Sequence, residues 1–524
     1  MTGKGCRILL TADRTLIADY DLLFDGMLAA SQTTTTPSFL MKHLLMKRPP
    51  SADGVAKFAP LGLRRIEAAL LSDGFTEEEV VVVDPDSLLK FAGEDTAIVA
   101  VSSGEPAGFG MNSSTMCGIA GGSIYPYRMF HQLMGTIRRL KDAHPHVKVV
   151  LGGPGAWQMK ERIGARNLPI DYLVTGYAEG NVSSIFHRIL SGEKIQNIIE
   201  GESVSAEQIP PIRHPSTMGV VEISRGCGLG CAFCTIRKTA MIHLPHETII
   251  KDVRTNVEKG KPNIAILSED FFRYGSHGLQ VNPDAPIRLL ENVREVEGLK
   301  LIQLDHCNVL SVSQYSDEHL RQIRRLLTLG QRHEYPWVNI GVETASGTLL
   351  RKNGGGAKMG RFGDDSWADF SGEQVRRLVR AGFFPLVSLI IGLPHETERE
   401  IQMTTEWVER LSNERVTVFP VLYAPVDGSR PPNTDDLRRS HWDLIKRCYD
   451  LNFHWIPKMY WDNQSGAGVR LGKRLLMQGM GRGQVLEWSL LLNLRRLRSP
   501  KSFPKRIPSD ERESEDAPMG KSCH

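Results

Sequence analysis

The chain has 524 residues, 41% of them hydrophobic and 24% charged, with a formal net charge of +4. That composition excludes general disorder and leaves room for two or three domains, each with its own core. No apolar run reaches eighteen residues, and the opening MTGKGCRILLTADRT has no apolar secretory segment, so the sequence reads as cytoplasmic with no membrane partner. Eight thinly spread cysteines make no disulfide framework in a reducing compartment; where they cluster, they point to metal or redox chemistry.

In chain order, residues 6–13, 80–84, 96–103, 147–155 and 171–176 read as short β-branched strands. Amphipathic helices are predicted at 61–74, 129–144 and 181–192. Apolar strands alternating with amphipathic helices predict a parallel sheet covered on both faces, a Rossmann-like domain over 1–190. About 45 residues separate the first strand from its helix, and excursions of that length at strand ends are usually functional or disordered. Residues 191–218, ending in EQIPPIRHPST, read as a proline-marked linker.

A second series follows over 219–430. MGVVEISRG, NIAILSED, KLIQLDHCNVLS, WVNIGVETAS, FPLVSLIIGLP and VTVFPVLYAP read as six strands with helices between them. Repeated strand-helix units predict a partial or full parallel barrel with its chemistry at the C-terminal ends of the strands. Residues 431–506 are expected to form a helical extension and 507–524 a disordered tail.

Directly after the first of these strands, Cys227, Cys231 and Cys234 stand in a C-x3-C-x2-C spacing. Zinc, completed by His243 or another histidine, is one reading, although zinc sites favour paired C-x2-C knuckles and no second knuckle is present. An iron-sulfur cluster is the other: three thiolates on four irons leave one iron open to a substrate or cofactor.

With Phe233 before the last cysteine, this motif resembles that of the radical S-adenosyl-L-methionine (SAM) superfamily. The resemblance implies a 4Fe-4S cluster on the three cysteines, with SAM chelating the open iron and cleaved by one electron to a deoxyadenosyl radical. It extends to LSED (Ser268, Glu269, Asp270), placed where the family binds the SAM amino group. It includes IGVETAS (Gly341, Val342, Glu343) and LIIGLPHET (Gly392, Leu393, Pro394), where His395 replaces the family's usual glycine.

The N-terminal PLGLRRIEAAL, GGPGAW and DYLVTGYAEG resemble the cobalamin-binding domain that precedes many radical SAM cores. Gly152, Gly153 and Pro154, then Gly176 and Gly180, are strand-end positions with little bulk, where backbone can approach a large ligand. The loop 102–116, beginning with Ser102 and Ser103, is the candidate for the lower face of cobalt. DAHPHV (Asp142, His144) lacks the glycine of a cobalt-ligating D-x-H-x-x-G and lies in the wrong loop, so His144 reads as a surface residue.

The combined resemblance, over about 6–430, is to cobalamin-dependent radical SAM methyltransferases. It implies an α/β protein with a cobalamin-binding Rossmann-like domain, a partial (β/α)6 radical SAM barrel and a helical extension. The expected reaction is methyl transfer through methylcobalamin to an unactivated sp3 carbon. LLTADRTLIADY and FAPLGLRRIEAALL resemble a methanogen branch that includes the glutamine C-methyltransferase of methyl-coenzyme M reductase, so a protein substrate is expected. An electron donor such as ferredoxin or flavodoxin is implied. A cobalamin-assisted radical cyclase or rearrangement enzyme shares every motif, and a non-enzymatic zinc-binding regulator is the alternative of another class.

Smaller features receive plainer readings. From Gly468 to Arg506 there are ten Lys or Arg and one acid, Glu487; such a segment can dock a protein substrate or be a solvated helix face, and nucleic acid is disfavoured because Trp488 alone makes no stacking platform. Cys6, Cys117, Cys307 and Cys448 read as small buried residues, Tyr274 and Tyr423 as packing near strand ends, and Cys523 with His524 as a solvated end. NGGGAKMGRFGDD lacks the G-K-S/T of a phosphate loop and reads as a flexible loop.

Overall fold

The computed structural model describes residues 5–49, 53–163, 168–237, 239–328, 330, 333–427 and 434–500. The expected tail at 507–524, with Cys523 and His524, and residues 501–506 of the extension lie outside the described residues.

Six strands form the N-terminal sheet: β1 (Ile8–Ala12), β2 (Val80–Val82), β3 (Ile98–Ser102), β4 (Lys148–Gly152), β5 (Tyr172–Thr175) and β6 (Ile198–Glu200). They are ordered β2-β1-β3-β4-β5-β6, and every neighbouring pair is parallel. Alternate side chains of β1 serve two cores. Ile8 and Leu10 pack with Leu63, Leu70, Ile185 and Phe186 of the helices Leu61–Ser72 and Val182–Leu190; Leu9 packs with Phe130, Ile137 and Leu140 of the helix Tyr125–Ala143. Both faces are therefore covered, which is why the strands read as unbroken apolar runs. The strand order reverses between β1 and β3, so the C-terminal ends of these two strands flank the switch point where open α/β sheets bind ligands. β6 falls in the stretch read as linker and adds to the sheet beside β5.

The second half carries β7 (Val220–Glu222), a short antiparallel pair β8 (Ser224–Arg225) and β9 (Ile242–His243), then β10 (Asn263–Leu267), β11 (Leu301–Leu304), β12 (His306–Asn308), β13 (Trp337–Glu343), β14 (Phe384–Ile391) and β15 (Thr417–Leu422). The parallel sheets β11-β10-β7 and β12-β13-β14-β15 meet at Asp305, which interrupts the third of the six barrel strands. This is the expected partial (β/α)6 barrel.

The long excursion after β1 plugs the barrel at the end away from the cysteines. Leu22 and Phe24 join Leu301, Trp337 and Phe384, the first residues of β11, β13 and β14, in one apolar cluster with Tyr460. The Tyr460 hydroxyl donates to buried Asp25 at 2.5 Å. The helices Arg439–Gly466 and Leu471–Arg498 form the extension and pack together, with the Tyr449 and Trp488 rings 5.4 Å apart. Among the described residues no helix is long and apolar enough to cross a membrane.

Candidate active site

Cys227, Cys231 and Cys234 lie on one loop beyond β8, held by backbone from two sides. Cys227 and Gly228 N–H groups both donate to Thr239 O, at 3.2 and 3.0 Å, and Ala232 N–H donates to Asn353 O at 3.0 Å. Gly354, at φ +76°, lies so close that a Cβ there would stand 2.9 Å from Ala232 N. The glycine-rich stretch read as a flexible loop is thus the brace of the cysteine loop, and it includes the helical turn Gly356–Met359. Arg273 adds a bond from Nη1 to Cys227 O at 2.8 Å. Burial raises all three thiols, Cys231 to about 11, so they are protonated when empty and release their protons to solvent as iron binds.

Among the described residues no three His, Cys, Asp or Glu side chains are arranged to hold one metal ion. A four-iron cluster makes a different demand, because its three thiolates each take a separate iron. The donor set fits such a cluster, with Phe233 buried beside it.

The other nominated residues separate by role. Ser268 is buried, its hydroxyl 2.5 Å from that of Ser224. Asp270 is also buried; its Oδ1 accepts from Ser311 Oγ at 2.8 Å, and burial raises its pKa to about 6. Glu269, between them, is exposed at the strand end, although the desolvation of its carboxyl by the surrounding protein raises its pKa. Nearby His306 is 2.7 Å from Asp305; burial opposes its charge, but Asp305, Glu269 and Glu343 outweigh that and lift its pKa to about 9.

Glu343 takes a left-handed φ of 69° at a register shift in β13, and its Oε1 accepts from the buried Lys358 Nζ. Gly341 makes room for the pair: a Cβ would lie 2.4 Å from Glu343 Oε1 and 2.7 Å from Lys358 Nζ. Burial disfavours charge on Lys358, but Glu343 and then Cys231 and Cys227 keep its pKa raised. Lys358 therefore sets a fixed positive charge near the thiolates, a role the sequence reading missed. Gly392 N–H donates to Glu396 Oε2 at 2.9 Å, which also meets His441 Nε2 at 2.9 Å, and Pro394 O accepts from Asn353 Nδ2 at 3.0 Å. One chain of contacts thus links the extension, the Gly392–Pro394 loop and the cysteine loop.

The C-terminal edge of the N-terminal sheet faces this region. Gly153, at φ +93°, would place a Cβ 2.7 Å from both Ser102 Oγ and Ser103 N, so the loops after β3 and β4 interlock. Ser103 N–H donates to Gly152 O at 3.1 Å; Gly153, Pro154, Gly176 and Gly180 are exposed along the edge. Four buried oxygens have no partner there or close by: Asp13 Oδ2, Ser103 Oγ, Ser113 Oγ and Glu179 Oε2. A low, glycine-lined edge with unpaired buried acceptors fits a large polar cofactor such as cobalamin. His144, by contrast, ends the helix before β4, at the opposite edge. The 102–116 loop leads into the helix Met111–Ala120, whose Thr115 Oγ1 accepts from Leu422 N–H at 2.7 Å, so it reaches the end of the last barrel strand.

Several ionic links join the halves, Lys261 with Asp19 at 2.5 Å among them. Arg65 binds Asp252, Nη2 to Oδ2 at 2.5 Å. Arg225, two residues before Cys227, donates to Glu222 and, at 2.9 Å, to Glu179 Oε1, while its guanidinium lies 3.9 Å from the centre of the Tyr177 ring. The two remaining tyrosines are unremarkable: Tyr274 donates to Leu244 O at 3.1 Å, and Tyr423 packs against the core.

A family model for the radical SAM superfamily matches residues 221–408, from β7 to the helix after β14. The chain carries a radical SAM domain. The domain implies a 4Fe-4S cluster and SAM, and it sets aside the zinc-regulator reading. The chain is 23% identical over 331 residues to the tRNA-2-methylthio-N(6)-dimethylallyladenosine synthase of Hydrogenobaculum sp. (strain Y04AAS1), covering 61% of this chain and 70% of that protein. It is 24% identical over 364 residues to the threonylcarbamoyladenosine tRNA methylthiotransferase of Thermotoga maritima, covering 68% and 74%. Its fold matches that of TsrM, a radical SAM methyltransferase from Kitasatospora setae solved with tryptophan and a SAM analogue, at a TM-score of 0.51, 15% identity and 80% and 75% coverage.

Proposed function

We propose that this radical SAM enzyme is a cobalamin-dependent C-methyltransferase, acting on an unactivated carbon between its N-terminal sheet and its barrel. The observation that carries the reading is that the cysteine loop and the glycine-lined sheet edge are joined by Arg225 and Glu179. The cluster with SAM supplies one-electron chemistry when bound, and cobalamin supplies a methyl carrier, so the protein's task is orientation.

In this reading Glu269 meets the SAM ammonium, and Lys358 holds positive charge beside the thiolates with its position fixed by Glu343. Gly392 and Pro394 shape the adenosine side. Gly152, Gly153, Pro154, Gly176 and Gly180, with Ser102 and Ser103, let the corrin approach the sheet edge. Methylthio transfer, the activity named for the sequence relatives, also needs sulfur delivery. The N-terminal domain offers only Cys6 and Cys117 for that, one cysteine fewer than the set that holds the barrel's cluster, which argues for methyl transfer instead.

A protein glutamine, as in methyl-coenzyme M reductase, is the specific substrate to test first, with ferredoxin or flavodoxin as electron donor. The test is anaerobic incubation with SAM, reductant and peptides, read by mass spectrometry. A gain of one methyl group with deoxyadenosine formation is expected; deoxyadenosine with an unmethylated, rearranged product favours the cyclase reading instead.

A further inference from the structure

The helix Leu471–Arg498 shows solvent a face that is apolar where it should be polar. Among the described residues twelve large apolar side chains are exposed, and seven of them are leucines of this helix: 471, 475, 476, 486, 490, 494 and 497, at 47–70% exposure. Its opposite face is anchored, with Met477 and Leu492 buried and Gln484 donating to Gln32 at 2.8 Å. Most of its bases also turn inward: Lys473 pairs with Asp21, Arg496 with Asp443, and Arg474 stacks on Trp461 at 4.0 Å. The outward face keeps Arg482, Arg498 and Glu487, a balance too near neutral to select an anionic membrane.

Between the leucines the same face carries Gly472, Gly479 and Gly483, and nothing lies within 4 Å of where their Cβ atoms would be. Glycine inside a helix destabilises it relative to alanine; of the four glycines of this helix, all with empty space beside them, three are exposed on this one face and only Gly481 lies off it. Residues 472, 476, 479, 483, 486, 490, 493 and 497 follow the three-four spacing of a helix-packing seam. About a two-fold axis between Gln484 and Val485, an antiparallel copy places Leu486 opposite Gly483, Leu490 opposite Gly479 and Leu497 opposite Gly472. A parallel copy would set glycine against glycine and leave gaps.

We propose that this face is the homodimer interface, an antiparallel helix pair in which each glycine of one copy receives a leucine of the other. Such an isologous contact closes on itself. Leu476, Leu486, Leu490 and Leu497 lie in the seam with Leu471, Leu475 and Leu494 at its margins, an apolar strip to form the centre of an interface whose standard size is roughly 800 Å² per partner. The proposal is independent of the reaction catalysed.

Sedimentation of the full chain, purified without oxygen, tests it. The native chain is expected to be a dimer at micromolar concentration. Leu490→Glu and Gly483→Leu should each shift dissociation at least tenfold to higher concentration with circular dichroism unchanged, and the swap Gly483→Leu with Leu486→Gly should restore it. A native chain that stays monomeric, a dimer indifferent to these changes, or a monomer that binds phosphatidylserine vesicles more tightly after Gly483→Leu would overturn the proposal.

Discussion

Arg225 Nη2 lies 2.9 Å from Glu179 Oε1, tying the residue two before the first cluster cysteine to the loop after the fifth strand of the N-terminal sheet. Both side chains are buried, at 3% and 4% exposure. A buried pair broken by removing one partner costs roughly 3–5 kcal/mol, but Arg225 keeps Glu222, so Glu179→Gln is expected to cost about 2 kcal/mol. Urea unfolding measures it, and iron content should be unchanged because no cysteine contact is lost.

Lys358→Met leaves Glu343 buried without its cation, and Gly341→Ala drives a methyl group into both partners. Each is expected to weaken SAM binding by about 10- to 100-fold, as loss of a charged hydrogen bond worth roughly 1.5–3 kcal/mol implies. Equilibrium dialysis with SAM reads this, alongside an iron assay that should show the cluster retained.

Asp13, at the end of β1, is fully buried, which raises its pKa to about 6 despite the bonds it accepts from Thr15. Between about pH 4 and 6 the folded chain therefore holds a proton that the unfolded chain has lost. Stability falls as pH rises through that window, with the full penalty present above it. Asp13→Asn is expected to be the more stable protein at pH 7, by up to about 3 kcal/mol, and equal to the native chain near pH 4. Unfolding midpoints of the two proteins across this range check the sign.

His395 stands at φ +71°, where a side chain is strained and the superfamily uses glycine. It is exposed, so His395→Gly removes strain without opening a cavity and is expected to raise stability by about 0.5–1 kcal/mol, read from the thermal midpoint.

The strands and most helices were legible because their apolar periods match their burial: β1 alternates between two cores, and β14 is buried nearly throughout. The cysteine loop was legible from spacing alone. Contacts between segments distant in sequence were not. Asn353 and Gly354 brace the cysteines from more than a hundred residues away, and glycines read as looseness proved to be close packing. Arg64 and Arg65, quoted for family resemblance, are buried ion-pair residues. Arg65 crosses to Asp252 on the barrel, a contact between the halves that no pattern in the stretch reveals. Lys358 carried no motif, and only the fold brings it to Glu343.

The central claim is that one chain holds both a cluster and a corrin. Metal content after anaerobic reconstitution with iron, sulfide and hydroxocobalamin tests it most directly. About four irons and one cobalt per chain are expected, with Cys231→Ala losing iron but keeping cobalt. Iron without cobalt, or zinc in place of iron, would contradict the account.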